Sequence, residues 1–117
     1  MPVTDGFREF ALEQLQQAAR GIASRRVFGA IGVYAGEHFF AVIADDRVYF
    51  KVDDQTRPAF EAAGMEPFRP YGPDYASIGY YEVPVGVLEA ADELRRWARD
   101  AIAVAQRAQT KPRSRRR

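Results

Sequence analysis

The sequence contains no cysteine, which removes disulfides, thiolate nucleophiles and cysteine-ligated metals together and fits a reducing compartment. Histidine occurs once, as His38, so a zinc site would have to be completed by carboxylates, an uncommon ligand set. A surface histidine at the start of a strand is the expected role, and no metal is expected. No apolar run approaches the roughly 20 residues that a bilayer-spanning helix requires. Met1-Pro2-Val3-Thr4-Asp5 lacks a basic segment leading into an apolar stretch. Neither a membrane span nor a signal peptide is therefore expected, and the expected location is the cytoplasm.

Reaction chemistry is equally sparse. Gly29, Gly32 and Gly36 match neither phosphate-cradling glycine pattern, and no helix follows them to supply a dipole. Packing, a bulge or a turn explains them instead. Ser24 and Ser77 lack a nucleophile-elbow context. Asp45-Asp46 and Asp53-Asp54 resemble paired carboxylates for acid–base work, but each pair falls at a turn or a helix start, where capping accounts for it. No enzyme activity and no cofactor are expected.

What is present is enough for one domain. At 117 residues with 47% apolar content, the chain can bury a core of ordinary size. Five of its 17 basic residues, Lys111, Arg113, Arg115, Arg116 and Arg117, fall in the last seven positions, leaving 12 basic against 16 acidic residues in the rest. The body is thus acidic and is no basic nucleic-acid platform. From Thr110 onward nothing apolar is available to offset the entropy of ordering, so 1–109 is expected to fold and 110–117 to form a disordered basic tail.

Apolar residues Phe7, Ala11, Leu15, Ala18 and Ile22 recur at helical spacing, predicting an amphipathic helix over about 5–20 with Thr4 or Asp5 as N-cap and Gly21 as terminator. Three strands follow: Arg25 to Tyr34, His38 to Ile43, and Arg47 to Asp53. Their turns, Ala35-Gly36-Glu37 and Ala44-Asp45-Asp46, are too short for anything but antiparallel pairing. Asp53 or Asp54 opens a short helix through Ala63, which Gly64 stops. Met65 to Tyr71 and Ile78 to Val83 then read as strands flanking a turn-rich loop over 72–77. After Pro84 comes a long helix, broken near Ala90-Ala91-Asp92, with Leu94, Trp97, Ala98, Ala101, Ile102 and Ala105 as its apolar stripe. The expected fold is α+β: two layers, an antiparallel sheet of about five strands with helices on one face, in the order α-β-β-β-α-β-β-α.

Several of these segments resemble the TfoX (Sxy) N-terminal domain family. Arg26-Val27-Phe28-Gly29-Ala30-Ile31-Gly32-Val33-Tyr34 is similar to the family's R-M-F-G-G-Y-G-L-Y opening, with Val27 and Ala30 in place of Met and the second Gly. Phe40-Ala41-Val42-Ile43-Ala44-Asp45 is similar to its F-A-L-I-A-D strand. Val48 to Asp53, Phe60 to Gly64, Tyr80 to Pro84 and the Trp97-Ala98 helix follow in the family's order. The resemblance implies a secretion-chaperone-like fold, often homodimeric, from a bacterial family named for regulators of DNA-uptake competence, and no enzyme. Full-length competence regulators continue into a second, helical domain, whereas this sequence ends near the close of the first.

In the third strand Tyr49 and Lys51 alternate with Val48, Phe50 and Val52 and are expected on the face away from the helices, beside Tyr34 and one of Tyr80 or Tyr81. Amphipathic rings there suit either a protein contact, of which a two-fold homodimer is the simplest form, or simple shielding of the sheet backbone. Tyr34, Tyr49, Lys51 and Tyr80 are the candidate contact residues. The expected function is a non-enzymatic protein-interaction module, linked to transcriptional regulation through an unidentified protein partner. The alternative is auxiliary nucleic-acid binding by Lys111, Arg113, Arg115, Arg116 and Arg117, weak and non-specific because five charges give a salt slope of at most about −4.5.

Overall fold

Thr4 sets where the first helix begins: its backbone is extended, and its hydroxyl accepts the Phe7 N–H at 3.3 Å. A computed structural model of the chain describes residues 2–27, 29–70, 72 and 77–110. Helix α1 (Asp5–Ala18) fully buries Ala11 and Leu15, with Phe7, Phe10, Leu12 and Ala18 half-buried around them. It ends earlier than expected, because Ala19 is already extended, and Ile22 opens a strand instead of closing the helical stripe.

Among the described residues six strands form one antiparallel sheet: β1 (Ile22–Val27), β2 (Ala30–Ala35), β3 (His38–Ala44), β4 (Arg47–Lys51), β5 (Pro67–Phe68) and β6 (Ser77–Glu82), in the spatial order β1-β2-β3-β4-β6-β5. The single strand expected from Arg25 to Tyr34 is corrected to the hairpin β1–β2. Gly29 has φ +82°, a backbone that side-chain-bearing residues rarely adopt, so the chain reverses there and Val27 pairs with Ala30. The strand expected over Met65 to Tyr71 shrinks to the two residues of β5, with Tyr71 outside the described residues. The expected loop over 72–77 also lies mostly outside them.

The β3–β4 hairpin closes on Asp45 and Asp46, both at positive φ (52° and 54°), the signature of a two-residue type I′ turn. Asp46 does more than turn the chain. Its carboxylate accepts the Thr4 N–H at 2.8 Å and the Thr4 hydroxyl at 3.0 Å, fastening the start of α1 to the sheet. Asp53 closes a turn ahead of the next helix, which begins later than the start expected at Asp53 or Asp54: its Oδ1 accepts the N–H groups of Gln55 and Thr56, and the Thr56 hydroxyl accepts the Asp53 N–H in return. Helix α2 (Arg57–Ala62) follows, with Pro58 in its first turn.

Helix α3 (Val85–Leu88) and helix α4 (Ala91–Thr110) are separated near Glu89 and Ala90. The expected stripe holds: Leu94, Ala98, Ala101 and Ala105 are buried, while Trp97 and Ile102 are half-buried against the same core. Trp97 meets Phe60 edge-on at 4.7 Å, seating α2 against α4. All four helices pack on one face, over Ile31, Val33, Ala41, Ile43, Val48, Phe50, Tyr81 and Val83. The fold is therefore a two-layer α+β domain with its main core between the layers.

Candidate functional site

Alternation along β2, β4 and β6 sends every second side chain away from the helices. Tyr34, Tyr49, Lys51 and Tyr80 share that face, and Tyr81 takes the core side, where its hydroxyl lies 3.2 Å from Glu61 Oε2. A second, smaller cluster forms there from Ala30, Val42, Ala44 and Tyr49, flanked by Phe39, Phe68 and Tyr80. Among the described residues, none from a helix belongs to it.

Phe39 was not anticipated, and its parity explains why. Counting by twos from Ile43 and Ala41 puts Phe39 on the core side. The β2–β3 register slips instead: Val33 pairs with Ala41 but Tyr34 pairs with Phe39, so Phe40 is the extra residue and takes the core position. Phe39 thereby joins the outer face, stacking on Tyr34 at 5.0 Å between centroids and approaching Tyr80 at 5.9 Å. Gly32 makes room for it. A Cβ at Gly32 would lie 3.1 Å from the Phe39 ring and 3.2 Å from a Val27 methyl.

These rings differ in accessibility. Tyr49 is only 7% exposed, since Phe68 from β5 packs against it at 4.7 Å, so Tyr49 is a packed residue and not an accessible one in the single chain. Tyr34, Phe39 and Tyr80 are half-buried, each offering part of a ring to solvent. Cations border the row: the Arg25 guanidinium lies 5.3 Å from the Tyr34 centroid and the Lys51 ammonium 5.1 Å from that of Tyr80. Burial pushes the Tyr80 phenol above its ordinary value, with the nearby Tyr34 adding to the effect. Burial also raises Tyr49, aided by Glu82 and opposed by Arg47.

Within this framework a family model, the TfoX N-terminal domain, matches residues 13–105. The chain belongs to the TfoX N-terminal domain family. No curated protein matches the sequence.

Three aspartates of this TfoX N-terminal domain are engaged in holding the fold. Asp46 ties down Thr4, Asp53 caps a turn and meets Arg107 at 2.6 Å, and Asp54 pairs with Arg57 at 2.9 Å. The Arg107 hydrogen bond is the main reason the Asp53 carboxyl is held below its usual range. His38 is half-buried at the first position of β3. Among the described residues no three His, Asp or Glu side chains converge as metal ligands, and no helix is long and apolar enough to cross a membrane. A cleft of about 200 Å³ between α2 and α4, lined by Thr56, Phe60, Trp97 and Asp100 among others, is smaller than most ligand sites. Lys111, Arg113, Arg115, Arg116 and Arg117 lie outside the described residues.

Proposed function

We propose that this domain is a non-enzymatic protein-interaction module that pairs with a second copy through its helix-free sheet face, and that it regulates transcription through protein contacts. The row Tyr34–Phe39–Tyr80 carries the reading. Three partly exposed rings, with Phe39 meeting both tyrosines, on a face that no described helix covers and with cations at the margin, have the composition of an interface core. Two-fold pairing lets that one patch serve both subunits. The aspartates support contact over catalysis, because Asp46, Asp53 and Asp54 are each engaged in a structural bond.

Sedimentation or light scattering tests it. The wild-type chain should have twice the monomer mass, and the double variant Tyr34→Glu/Tyr80→Glu should shift it toward monomer with its helical circular dichroism intact. A wild-type chain that stays monomeric at high micromolar concentration overturns the pairing. The basic C-terminal residues support a second reading, auxiliary nucleic-acid binding. Deleting 111–117 should then abolish low-salt DNA binding; unchanged affinity removes that reading.

A further inference from the structure

The two edges of the sheet are built differently. At one end β5 is two residues long, a common way of denying a partner strand a template. At the other end β1 runs for six residues, and its four central residues, Ala23, Ser24, Arg25 and Arg26, are all exposed. Among the described residues the helical layer reaches only its first residue, Ile22, so β1 extends beyond the two-layer body and its central residues are exposed on both faces. A strand that buries so little is held in place by its ladder to β2 and gains little from side-chain packing.

That ladder fixes what the free edge presents. The Gly36 N–H donates to the Gly21 carbonyl at 2.9 Å, so Gly21 and Gly36 form a hydrogen-bonded pair. Antiparallel pairs alternate, and with Ile22 opposite Ala35 and Ala23 opposite Tyr34, the bonded residues of β1 are Ala23, Arg25 and Val27. The N–H and C=O groups of Ile22, Ser24 and Arg26 therefore point away from the sheet. No described strand pairs with them.

Charge selects the occupant. Arg25 projects to the aromatic face, over Tyr34, and Arg26 to the opposite face, and neither is ion-paired with a carboxylate among the described residues. A second copy docked antiparallel along this edge would gather four arginines on one short ladder, a repulsive arrangement. An extended segment rich in Asp or Glu would instead meet an arginine whichever way its side chains alternate. We propose that the free edge of β1 is a docking strand for an extended acidic segment of a partner protein, which adds to the sheet as a seventh strand. This site meets the ring row at Arg25 but does not depend on self-pairing.

The test uses the full chain and a short labelled peptide of alternating glutamate and valine, with its lysine–valine counterpart as control. Fluorescence anisotropy should show binding of the glutamate peptide only, and amide hydrogen exchange should show new protection at Ser24 and Arg26. Arg25→Glu/Arg26→Glu should weaken binding by roughly tenfold or more. Ser24→Pro removes an outward N–H while sparing the β2 ladder and should abolish the complex. The proposal is overturned by absence of binding, by equal binding of the lysine peptide, or by protection elsewhere in the sheet. Binding that survives Ser24→Pro, as attraction to the C-terminal cations alone would, overturns it as well.

Discussion

The same strands present two different surfaces. Toward the helices they offer Ile43, Val48 and Phe50, none of which has measurable exposure, packed between layers as in any two-layer domain. Toward the other side they offer rings that cover one another: Phe68 shields Tyr49, and Phe39 lies between Tyr34 and Tyr80 above the gap left by Gly32. The first face is sealed by a second layer. The second seals part of itself with aromatics and leaves the outer row accessible, so hydrophobic content alone does not distinguish core from contact surface. What distinguishes them is whether another element arrives to finish the burial.

The sharpest way to break this contrast is to truncate one phenylalanine on each side. Phe50→Ala should cost about 3–5 kcal/mol in urea unfolding, the usual toll of emptying a filled core position. Phe39→Ala should cost about 1–2 kcal/mol, because part of its ring already faces water. Equal losses would mean that the second face is a core in its own right. Next in size is Asp46→Ala, expected to cost about 1–2 kcal/mol through the lost bonds to Thr4, with the strain of Ala at positive φ added. Asp46→Gly relieves the strain but not the lost bonds and should recover only part of the stability.

Smaller still is the tie between Arg107 of α4 and Asp53 beyond β4. Asp53 is held below its usual carboxyl range in the folded chain, while an unfolded aspartate takes up its proton near about 3.9. Its contribution is therefore complete above that pH and is lost as pH falls through the lower, folded value. Arg107→Gln should reduce stability at neutral pH and flatten the acid limb of a stability–pH curve. An unchanged acid limb would show that the pair does not couple the helical layer to the sheet.

Legibility in the sequence followed the range of the interaction. The α4 stripe, the Thr4 cap and the Asp45-Asp46 turn depend on neighbours within a few positions, and pattern reading found them. Strand alternation placed Tyr49 and Lys51 with Tyr34 on one face and left open Tyr80 or Tyr81, a choice that the pairing of Lys51 with Tyr80 decides. The β1–β2 hairpin escaped because Ala23 to Arg26 bury nothing and so carry no apolar alternation, leaving Gly29 as the sole mark of reversal. Phe39 escaped because one bulged residue inverts the count. The burial of Tyr49 was invisible because its cover, Phe68, comes from a strand that β6 separates from β4 in the sheet.

Tyr80 and Tyr81 bring the comparison down to adjacent residues on opposite faces. Both phenols are raised above the ordinary value, Tyr81 by burial with Glu61 beside its hydroxyl, Tyr80 by burial with Tyr34 nearby. A raised phenol contributes stability that is whole below about pH 10, where neither state ionises, and is lost as pH climbs toward the folded value. Tyr80→Phe and Tyr81→Phe should each remove a share of that alkaline loss, and ultraviolet difference titration of the two variants assigns the phenols. Protein concentration then separates the faces. If two copies meet across the ring row, Tyr80 loses further water on association and its titration moves higher as concentration rises, whereas Tyr81, on the opposite face of the sheet, stays where it is. Parallel movement of both, or of neither across the dimer transition, would mean that the outer row is not where the copies touch.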